Sequence, residues 1–138
     1  MKEDIRVVVF DVYGVMVDRR GDLHDGILDI IKELRKKRIK IILCSNSSRK
    51  MLEIWDSKYD FLKYFDEVVL AETVKAGKPE PEIFHEIIDL NPGISSHNIL
   101  FIDDKDENIL GSEAEGLIGL KFKDISKLKV SLKKLEVL

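Results

Sequence analysis

Apolar and polar residues follow two alternating periods along this chain, one typical of buried strands and one typical of helices. Short runs of consecutive apolar, often β-branched residues predict strands, whereas longer segments with apolar residues three or four positions apart predict helices. Strands are predicted over 6–10, 39–44, 67–70, 98–102 and 117–122. Helices are predicted over 25–37, 48–58, 81–90, 105–115 and 124–136.

The regular alternation of strands and helices predicts the fold class. Strand–helix–strand units form parallel sheets, and a parallel sheet needs helices on both of its faces. We therefore expect an α/β fold with a central parallel sheet of about five strands between two helical layers. The chain has 138 residues and shows no internal repeat, low-complexity tract or linker. Residues 1–138 are therefore predicted to form a single domain.

Composition and charge narrow the functional classes. Apolar residues make up 44% of the chain and charged residues 36%, which is typical of a soluble globular protein. The net charge of -3 provides no general attraction to nucleic acid or to an anionic membrane. No apolar run approaches the ~18 residues of a membrane span, and the first residues contain no signal-peptide core. The single cysteine, Cys44, is expected in the core, and its inability to form an internal disulfide favours a cytoplasmic location.

Residues capable of chemistry follow the predicted strands at their carboxyl ends. Asp11 follows the first strand, Ser45 the second and the Asp103-Asp104 pair the fourth, while Lys78 precedes the third helix. Taken singly, such residues are often turn formers, helix caps or surface lysines. The adjacent carboxylates are less ordinary because they repel one another unless a cation or a basic side chain compensates. Since the ends of neighbouring parallel strands meet at one edge, we expect a single polar site with the groups needed for phosphoryl transfer.

Four motifs resemble those of the haloacid dehalogenase-like hydrolase superfamily, in the family's order and over nearly the whole chain. They cover residues 8–18, 41–46, 77–84 and 99–104, the last followed by Asn108 and Gly111. One such motif would be weak evidence, but four in register are hard to obtain by chance. The resemblance implies a Rossmann-like three-layer fold, in agreement with the sheet that the pattern predicts.

The resemblance also implies roles for individual residues. Asp11 is similar to the family's nucleophile, which forms an aspartyl-phosphate, and Lys78 is similar to the lysine that steadies it. Ser45 is similar to the hydroxyl that binds a phosphoryl oxygen, with Asn46 beside it. The implied substrate is a phosphorylated small molecule or macromolecule, which would contact Tyr13, Ser45, Asn46 and Lys78.

Mg²⁺ is the cofactor that the resemblance implies. Asp104 matches the family's metal-binding acid, with Asp103 as its helper. Asp11 and the main-chain carbonyl of Tyr13 would complete the ligands from the protein. Because the last of these contacts uses the backbone, the side chain at position 13 need not decide whether the ion binds.

Tyr13 stands where the family's phosphatases carry a second aspartate, two residues after the nucleophile. That aspartate protonates the leaving group and later activates water, whereas a phenol, with a pKa of about 10, is a poor base at neutral pH. Losing such a group typically costs ~10²–10⁴ in rate, so slow hydrolysis is expected. Two alternatives remain open. One is a 2-haloacid dehalogenase: these enzymes are similar to this chain in carrying a tyrosine two residues after the nucleophile, but they work without metal. The other is a binding or regulatory protein that has lost efficient turnover.

The spacing of the motifs predicts an open site without a sizeable cap domain. About thirty residues separate Asp11 from Ser45, and one turn and one helix use them up. An open site implies a large substrate, or a cover supplied by a partner protein or by a second copy in a homo-oligomer. The aromatic residues between 55 and 65 are interpreted as core, with a partner-binding patch as the alternative.

Overall fold

The computed structural model describes residues 4–138, and in that range every predicted strand and helix is present in the predicted order. The strands are β1 Val7–Phe10, β2 Lys40–Ser45, β3 Glu67–Leu70, β4 Ile99–Asp103 and β5 Ile118–Lys121. The helices are α1 Ile27–Lys36, α2 Arg49–Tyr59, α3 Ala71–Val74, α4 Pro81–Asp89, α5 Asp106–Ala114 and α6 Ile125–Lys134. Short 3₁₀ turns cover Leu62–Tyr64 and Ser96–Asn98. The expectation about the first residues, and the start of the predicted domain 1–138, concern residues 1–3, which lie outside the described range.

Two details of the secondary structure differ from the prediction. The first helix begins at Ile27 rather than at 25, because Gly26 has a φ of 91°, in the left-handed region that a right-handed helix excludes. A further helix of one turn, α3, follows β3 directly and ends where Lys75 adopts a φ of 67°. Its four residues are too few to produce a helical period, so the sequence pattern could not indicate it.

The five strands form one parallel sheet, as predicted, and the structure gives their order as β3-β2-β1-β4-β5. β1 lies in the centre, where the winding of the chain changes direction, and open α/β sheets bind their ligands at such a position. Phe10 is in register with Leu43 of β2 and with Ile102 of β4. Asp11, the next residue, therefore leaves the sheet between the ends of these two neighbouring strands.

Helices cover both faces of the sheet and produce a three-layer sandwich. Side chains of β1 alternate between the faces: Val8 and Phe10 pack with α1, α2 and α6, while Val7 and Val9 pack with α4 and α5. Cys44 belongs to the second of these clusters, where complete burial raises the pKa of its thiol to about 12. The thiol therefore stays neutral and serves as a small core residue, as expected.

The aromatic residues after β2 belong to the core on the α1 face. Trp55 and Phe61 are buried, and Tyr59, Tyr64 and Phe65 pack against the same cluster while remaining partly exposed. Phe65 contacts the rings of Phe10 and Phe61 edge to face. These contacts agree with the interpretation of the segment as core.

The connection from β1 to α1 contains a small flap, residues 13–23, over the edge of the sheet where Asp11 lies. Val17 and Leu23 form an antiparallel bridge in it. The carboxylate of Asp18 closes the turn between them by accepting hydrogen bonds from the N–H groups of Arg20 and Asp22. No inserted cap is evident within residues 4–138.

None of the helices in residues 4–138 combines the length and the apolar character that crossing a bilayer requires.

Candidate active site

A cleft of about 210 Å³ opens at the carboxyl edge of the sheet, where the predicted residues meet. Asp11 follows β1, β2 ends in Ser45, and Asp104 follows β4. Asp103 is fully buried beneath the cleft, whereas all the other predicted residues line it. The lining residues are Asp11, Tyr13, Gly14, Arg19, Ser45, Asn46, Ser47, Lys78, Asp104, Lys105 and Asn108.

Lys78 is the buried centre of the site. Its ammonium group donates to Asp11 Oδ1 at 2.8 Å, to Asp103 Oδ2 at 2.7 Å and to the carbonyl oxygen of Cys44 at 3.1 Å. An ammonium group has three N–H donors, so these acceptors use its full capacity. Lys78 therefore acts on a bound group through its charge and through Asp11, and a direct hydrogen bond to substrate would require it to release one of these acceptors.

Replacing Lys78 by Met is expected to destabilise the fold strongly. The substitution keeps much of the volume but leaves Asp11 and Asp103 buried without their counter-ion, which typically costs about 3–5 kcal/mol. Urea titration followed by circular dichroism measures the loss. Lys105→Met is the control, since Lys105 lines the same cleft with an exposed side chain and should stay within about 0.5 kcal/mol of the parent. Equal free energies of unfolding in the two variants would contradict the structural role of Lys78.

The charges in the site are unbalanced. Burial raises the pKa of Asp11 to about 7, with Lys78 opposing the shift and Asp103 and Asp104 adding to it. Burial alone would lower the pKa of Lys78, but the charges of Asp11 and Asp103 raise it above its ordinary value. Three carboxylates thus lie close together, one buried ammonium group contacts two of them, and a further positive charge would stabilise their ionised forms.

Ser45 and Asn46 extend the site along the end of β2. Ser45 Oγ accepts the N–H of Ser47 at 2.9 Å, and its own O–H remains available to donate into the cleft. The Asn46 side chain makes a reciprocal pair with the main chain of Lys78, accepting its N–H at 2.8 Å and donating to its carbonyl at 3.1 Å. Asn46 therefore positions Lys78 in addition to lining the cleft.

The two adjacent aspartates have different surroundings. Asp103 accepts hydrogen bonds from Lys78, from the N–H of Lys105 at 3.0 Å and from the amide of Asn108, whose nitrogen is 3.2 Å from both oxygens. Asp104 Oδ1 is buried and has no hydrogen-bond partner among residues 4–138. Lys78 thus compensates the charge of Asp103, whereas one carboxylate oxygen of Asp104 is left without a hydrogen-bond donor.

The open oxygen belongs to a group of carboxylates that fits a divalent cation. One oxygen from each of Asp11, Asp103 and Asp104 lies within 4.8 Å of the other two. Hard cations such as Mg²⁺ prefer oxygen ligands of this kind and keep part of their water shell. Since Lys78 and Asn108 hold Asp103, Asp11 and Asp104 are the better placed of the three for direct contact.

Five residues that line the cleft were not assigned a role from the sequence: Gly14, Arg19, Ser47, Lys105 and Asn108. Gly14 has a φ of 100°, and a Cβ built on it would lie 2.3 Å from Asp104 Oδ2. Glycine is therefore required at this position, because a side chain would collide with the carboxylate of Asp104. Asn108 could have been suspected, because it is a polar residue on the buried side of α5. Arg19, whose Nη2 is 3.6 Å from Asp104 Oδ2, gave no signal beyond its charge.

Tyr13 closes the flap internally and packs it against α2. Its hydroxyl donates to the carbonyl oxygen of Arg19 at 3.0 Å, and its ring lies 6.2 Å from that of Trp55. Tyr59 makes a similar bond, donating its hydroxyl to the carbonyl oxygen of Gly21 at 2.8 Å. The side chain that stands in place of an aspartate is therefore an anchor for the flap as well as a lining of the cleft.

The chain is similar to known hydrolases in sequence. A family model of haloacid dehalogenase-like hydrolases matches residues 19–116, a segment that contains Ser45, Lys78 and Asp104 and begins after Asp11. A phosphorylated carbohydrates phosphatase from Thermotoga maritima is 28% identical over 82 residues. The aligned segment covers 59% of this chain and 38% of that phosphatase, so the match spans well under half of the relative's length.

Solved structures extend this similarity to the fold. A predicted HAD-like family hydrolase from Porphyromonas gingivalis superposes with a TM-score of 0.81 at 18% identity, covering 96% of this chain and 98% of that one. A variant of a HAD family enzyme from Bacteroides thetaiotaomicron, in complex with magnesium and inorganic phosphate, gives a TM-score of 0.66 at 28% identity. That match covers 77% of this chain and 58% of the enzyme. The family match spans more than two thirds of the sequence, and the chain belongs to the haloacid dehalogenase-like hydrolases.

Proposed function

We propose that this hydrolase cleaves phosphate esters in a Mg²⁺-dependent reaction that passes through an aspartyl-phosphate on Asp11. The observation that carries the proposal is the pairing of Asp11 with the buried Lys78 beside an open carboxylate oxygen of Asp104. A carboxylate oriented by a fixed positive charge can act as a nucleophile toward phosphorus. The name of the Thermotoga relative, a phosphatase, supports the same chemistry.

Each protein group has a role in this reaction. Asp11 Oδ1 accepts hydrogen bonds from Lys78 and from the N–H of Val12, which orients Oδ2 for attack on the phosphorus. The bond from phosphorus to the ester oxygen breaks as the bond to Oδ2 forms, and the leaving oxygen departs as an anion that takes its proton from solvent water. Water then cleaves the acyl phosphate, releasing inorganic phosphate and restoring the carboxylate. The hydroxyl of Ser45 would donate to a phosphoryl oxygen during both steps.

The residues of the site fit a bound Mg²⁺. Asp11, Asp104 and the main-chain carbonyl of Tyr13 would hold it. Asp103 would support these ligands indirectly, through its hydrogen bonds with Lys78 and Asn108. When bound, the ion supplies positive charge to the phosphoryl oxygens. The buried Oδ1 of Asp104 supports this assignment because an oxygen without any partner is costly in the interior.

Hydrolysis of para-nitrophenyl phosphate tests the proposed function. This ester has a leaving group that departs as a stable anion, so it suits a site with Tyr13 in place of a general acid. We expect turnover that requires Mg²⁺ and stops when EDTA removes the ion. Halide release from 2-haloacids without metal would instead support the dehalogenase alternative. A protein inactive in both assays would support the binding or regulatory alternative.

The openness of the cleft bears on the substrate. The flap is the part of residues 4–138 that overlies the site, so a large phosphorylated substrate could reach Asp11 without a cap having to open. Coverage by a partner protein or by a second copy of the chain remains part of this proposal. Rates of hydrolysis measured on a phosphorylated protein and on small esters would distinguish an open cleft from a covered one. An open cleft should accept both kinds of substrate, whereas a covered cleft should accept the small esters alone.

Mg²⁺ is expected to raise the melting temperature of the parent protein. A ligand at about 100 times its dissociation constant contributes about 2.7 kcal/mol, which corresponds to a shift on the order of 5–10 °C for a domain of this size. Asp104→Asn should abolish most of this shift, since the amide keeps the shape but removes the charge that attracts the ion. Differential scanning fluorimetry measures it, and Glu107→Gln, at an exposed position of α5, is the control. A full shift in Asp104→Asn would contradict the assignment of the ligand.

A further inference from the structure

The tip of the flap carries an arginine at the mouth of the cleft. Arg19 lies 3.6 Å from Asp104 Oδ2, which is longer than a hydrogen bond, and its side chain is 75% exposed. Its guanidinium group, with five N–H donors, is therefore largely unused by the protein. Lys105 adds a second positive charge to the lining of the cleft.

Asp104 is the carboxylate that forms an ion pair with Arg19 at the mouth of the cleft. Asp11 and Asp104 are the carboxylates among its described lining residues, and Asp11 is paired with Lys78. If Asp104 shares its charge with a cation, as the proposed function requires, its ion pair with Arg19 weakens. The mouth then presents a guanidinium group next to the place where the phosphoryl group would bind.

Tyr13 holds this arginine in position. The hydrogen bond from its hydroxyl to the carbonyl oxygen of Arg19 fixes the backbone of the residue itself. The bond from Tyr59 to the carbonyl oxygen of Gly21 fixes the other side of the same turn. A mobile arginine would lose rotational freedom on binding, and an anchored backbone reduces that loss.

We propose that Arg19, positioned by Tyr13, selects phosphate esters that carry a second anionic group, either a carboxylate or a second phosphate. Both groups have the paired oxygens that a guanidinium group binds in bidentate fashion. The inference rests on the proposed function, because it assigns the specificity of the same site. It also gives Tyr13 a positioning role that an aspartate at this position would not provide.

Matched ligands test this specificity. Phosphoglycolate and ethyl phosphate are similar in size and differ by a carboxylate, and ethylene bisphosphate adds a second phosphate instead. Dissociation constants are measured in Mg²⁺ by calorimetry with Asp11→Asn in each protein, so that the ligands are not hydrolysed, and inhibition constants are measured in the active proteins by competition with para-nitrophenyl phosphate. The parent should bind at least one of the doubly anionic ligands about tenfold more tightly than ethyl phosphate, which corresponds to one charge-assisted hydrogen-bond pair.

Arg19→Gln should remove most of this tenfold preference, because the doubly anionic ligand should lose more affinity than ethyl phosphate does. Arg20→Gln is the matched control, because Arg20 lies in the same turn, is 84% exposed and faces Asp22 instead of the cleft. Tyr13→Phe, which keeps the ring and loses the bond to Arg19, should lose part of the preference. Whichever doubly anionic ligand responds to Arg19→Gln identifies the second group.

Several results would overturn the inference. They are a parent without preference, equal losses in Arg19→Gln and Arg20→Gln, and an unchanged preference in Tyr13→Phe. If para-nitrophenyl phosphate is nevertheless hydrolysed in a reaction that depends on Asp11, the proposed function stands and only the specificity is wrong. Absence of that hydrolysis would instead overturn the proposed function itself.

Discussion

Replacing Asp11 by Asn is expected to lower kcat for para-nitrophenyl phosphate on the order of 10³-fold or more, the scale seen when a nucleophile is removed from an enzyme. The amide has the shape of the carboxylate and still offers an oxygen to Lys78 and to the N–H of Val12. It lacks the negative charge that attack on phosphorus requires. The loss should therefore appear in kcat, with the fold retained.

Two controls separate the nucleophile from a structural effect. Asp106→Asn changes an exposed carboxylate just beyond the cleft and should keep the parent's rate. Circular dichroism should show that Asp11→Asn is folded. After an acid quench during turnover, mass spectrometry should find a phosphate adduct on the peptide that contains Asp11 in the parent and not in the variant. A variant with the parent's kcat would place the nucleophile elsewhere.

The position of this aspartate could be predicted because parallel sheets leave little freedom at their edges. Asp11 follows the first predicted strand, so it had to emerge at the carboxyl edge of a parallel sheet, and the structure adds that the ends of β2 and β4 lie on either side. The convergence of Asp11, Ser45 and Asp104 follows from register alone. The spacing of apolar residues was sufficient to predict these positions, because it shows which residues are buried and therefore where each strand ends.

The contacts within the cleft could not be predicted in the same way. Asp103 and Asp104 are adjacent and chemically identical, yet one is bound by Lys78 and Asn108 and the other keeps an open oxygen. Successive residues leave a strand in opposite directions, and which direction meets the lysine depends on how the loop after β3 returns to the sheet. A sequence pattern contains no information about that return.

Arg19 illustrates a second limit. The sequence pattern predicts one turn between Asp11 and the helix over 25–37, whereas the structure has a flap closed by Asp18 and anchored by Tyr13 and Tyr59. The two anchoring bonds join side chains to main-chain carbonyls, and such carbonyls look alike in any sequence. Tyr13 could therefore be recognised as an unusual residue, but not as one with a partner.

Tyr13→Asp is expected to raise kcat for alkyl phosphates by roughly 10²–10⁴, the usual contribution of a general acid. Alkoxides are poor leaving groups, so a carboxylic acid that can protonate them at the mouth of the cleft should have its largest effect there. The rate with para-nitrophenyl phosphate should change far less, because that leaving group needs no proton. The ratio of the two rates is thus the informative measurement, and it is insensitive to small changes in the amount of folded protein.

The substitution also removes contacts, so its controls must remove the same contacts without adding an acid. Loss of the bond to Arg19 and of packing against Trp55 should destabilise the fold by about 1 kcal/mol. Tyr13→Asn shares this loss and offers a polar group of the same size that cannot donate a carboxylic proton. If Tyr13→Asp hydrolyses alkyl phosphates no faster than Tyr13→Asn, the missing acid is not what limits this site. The binding or regulatory alternative would then gain support, because the set of Asp11, Ser45 and Lys78 would be present without the turnover it should enable.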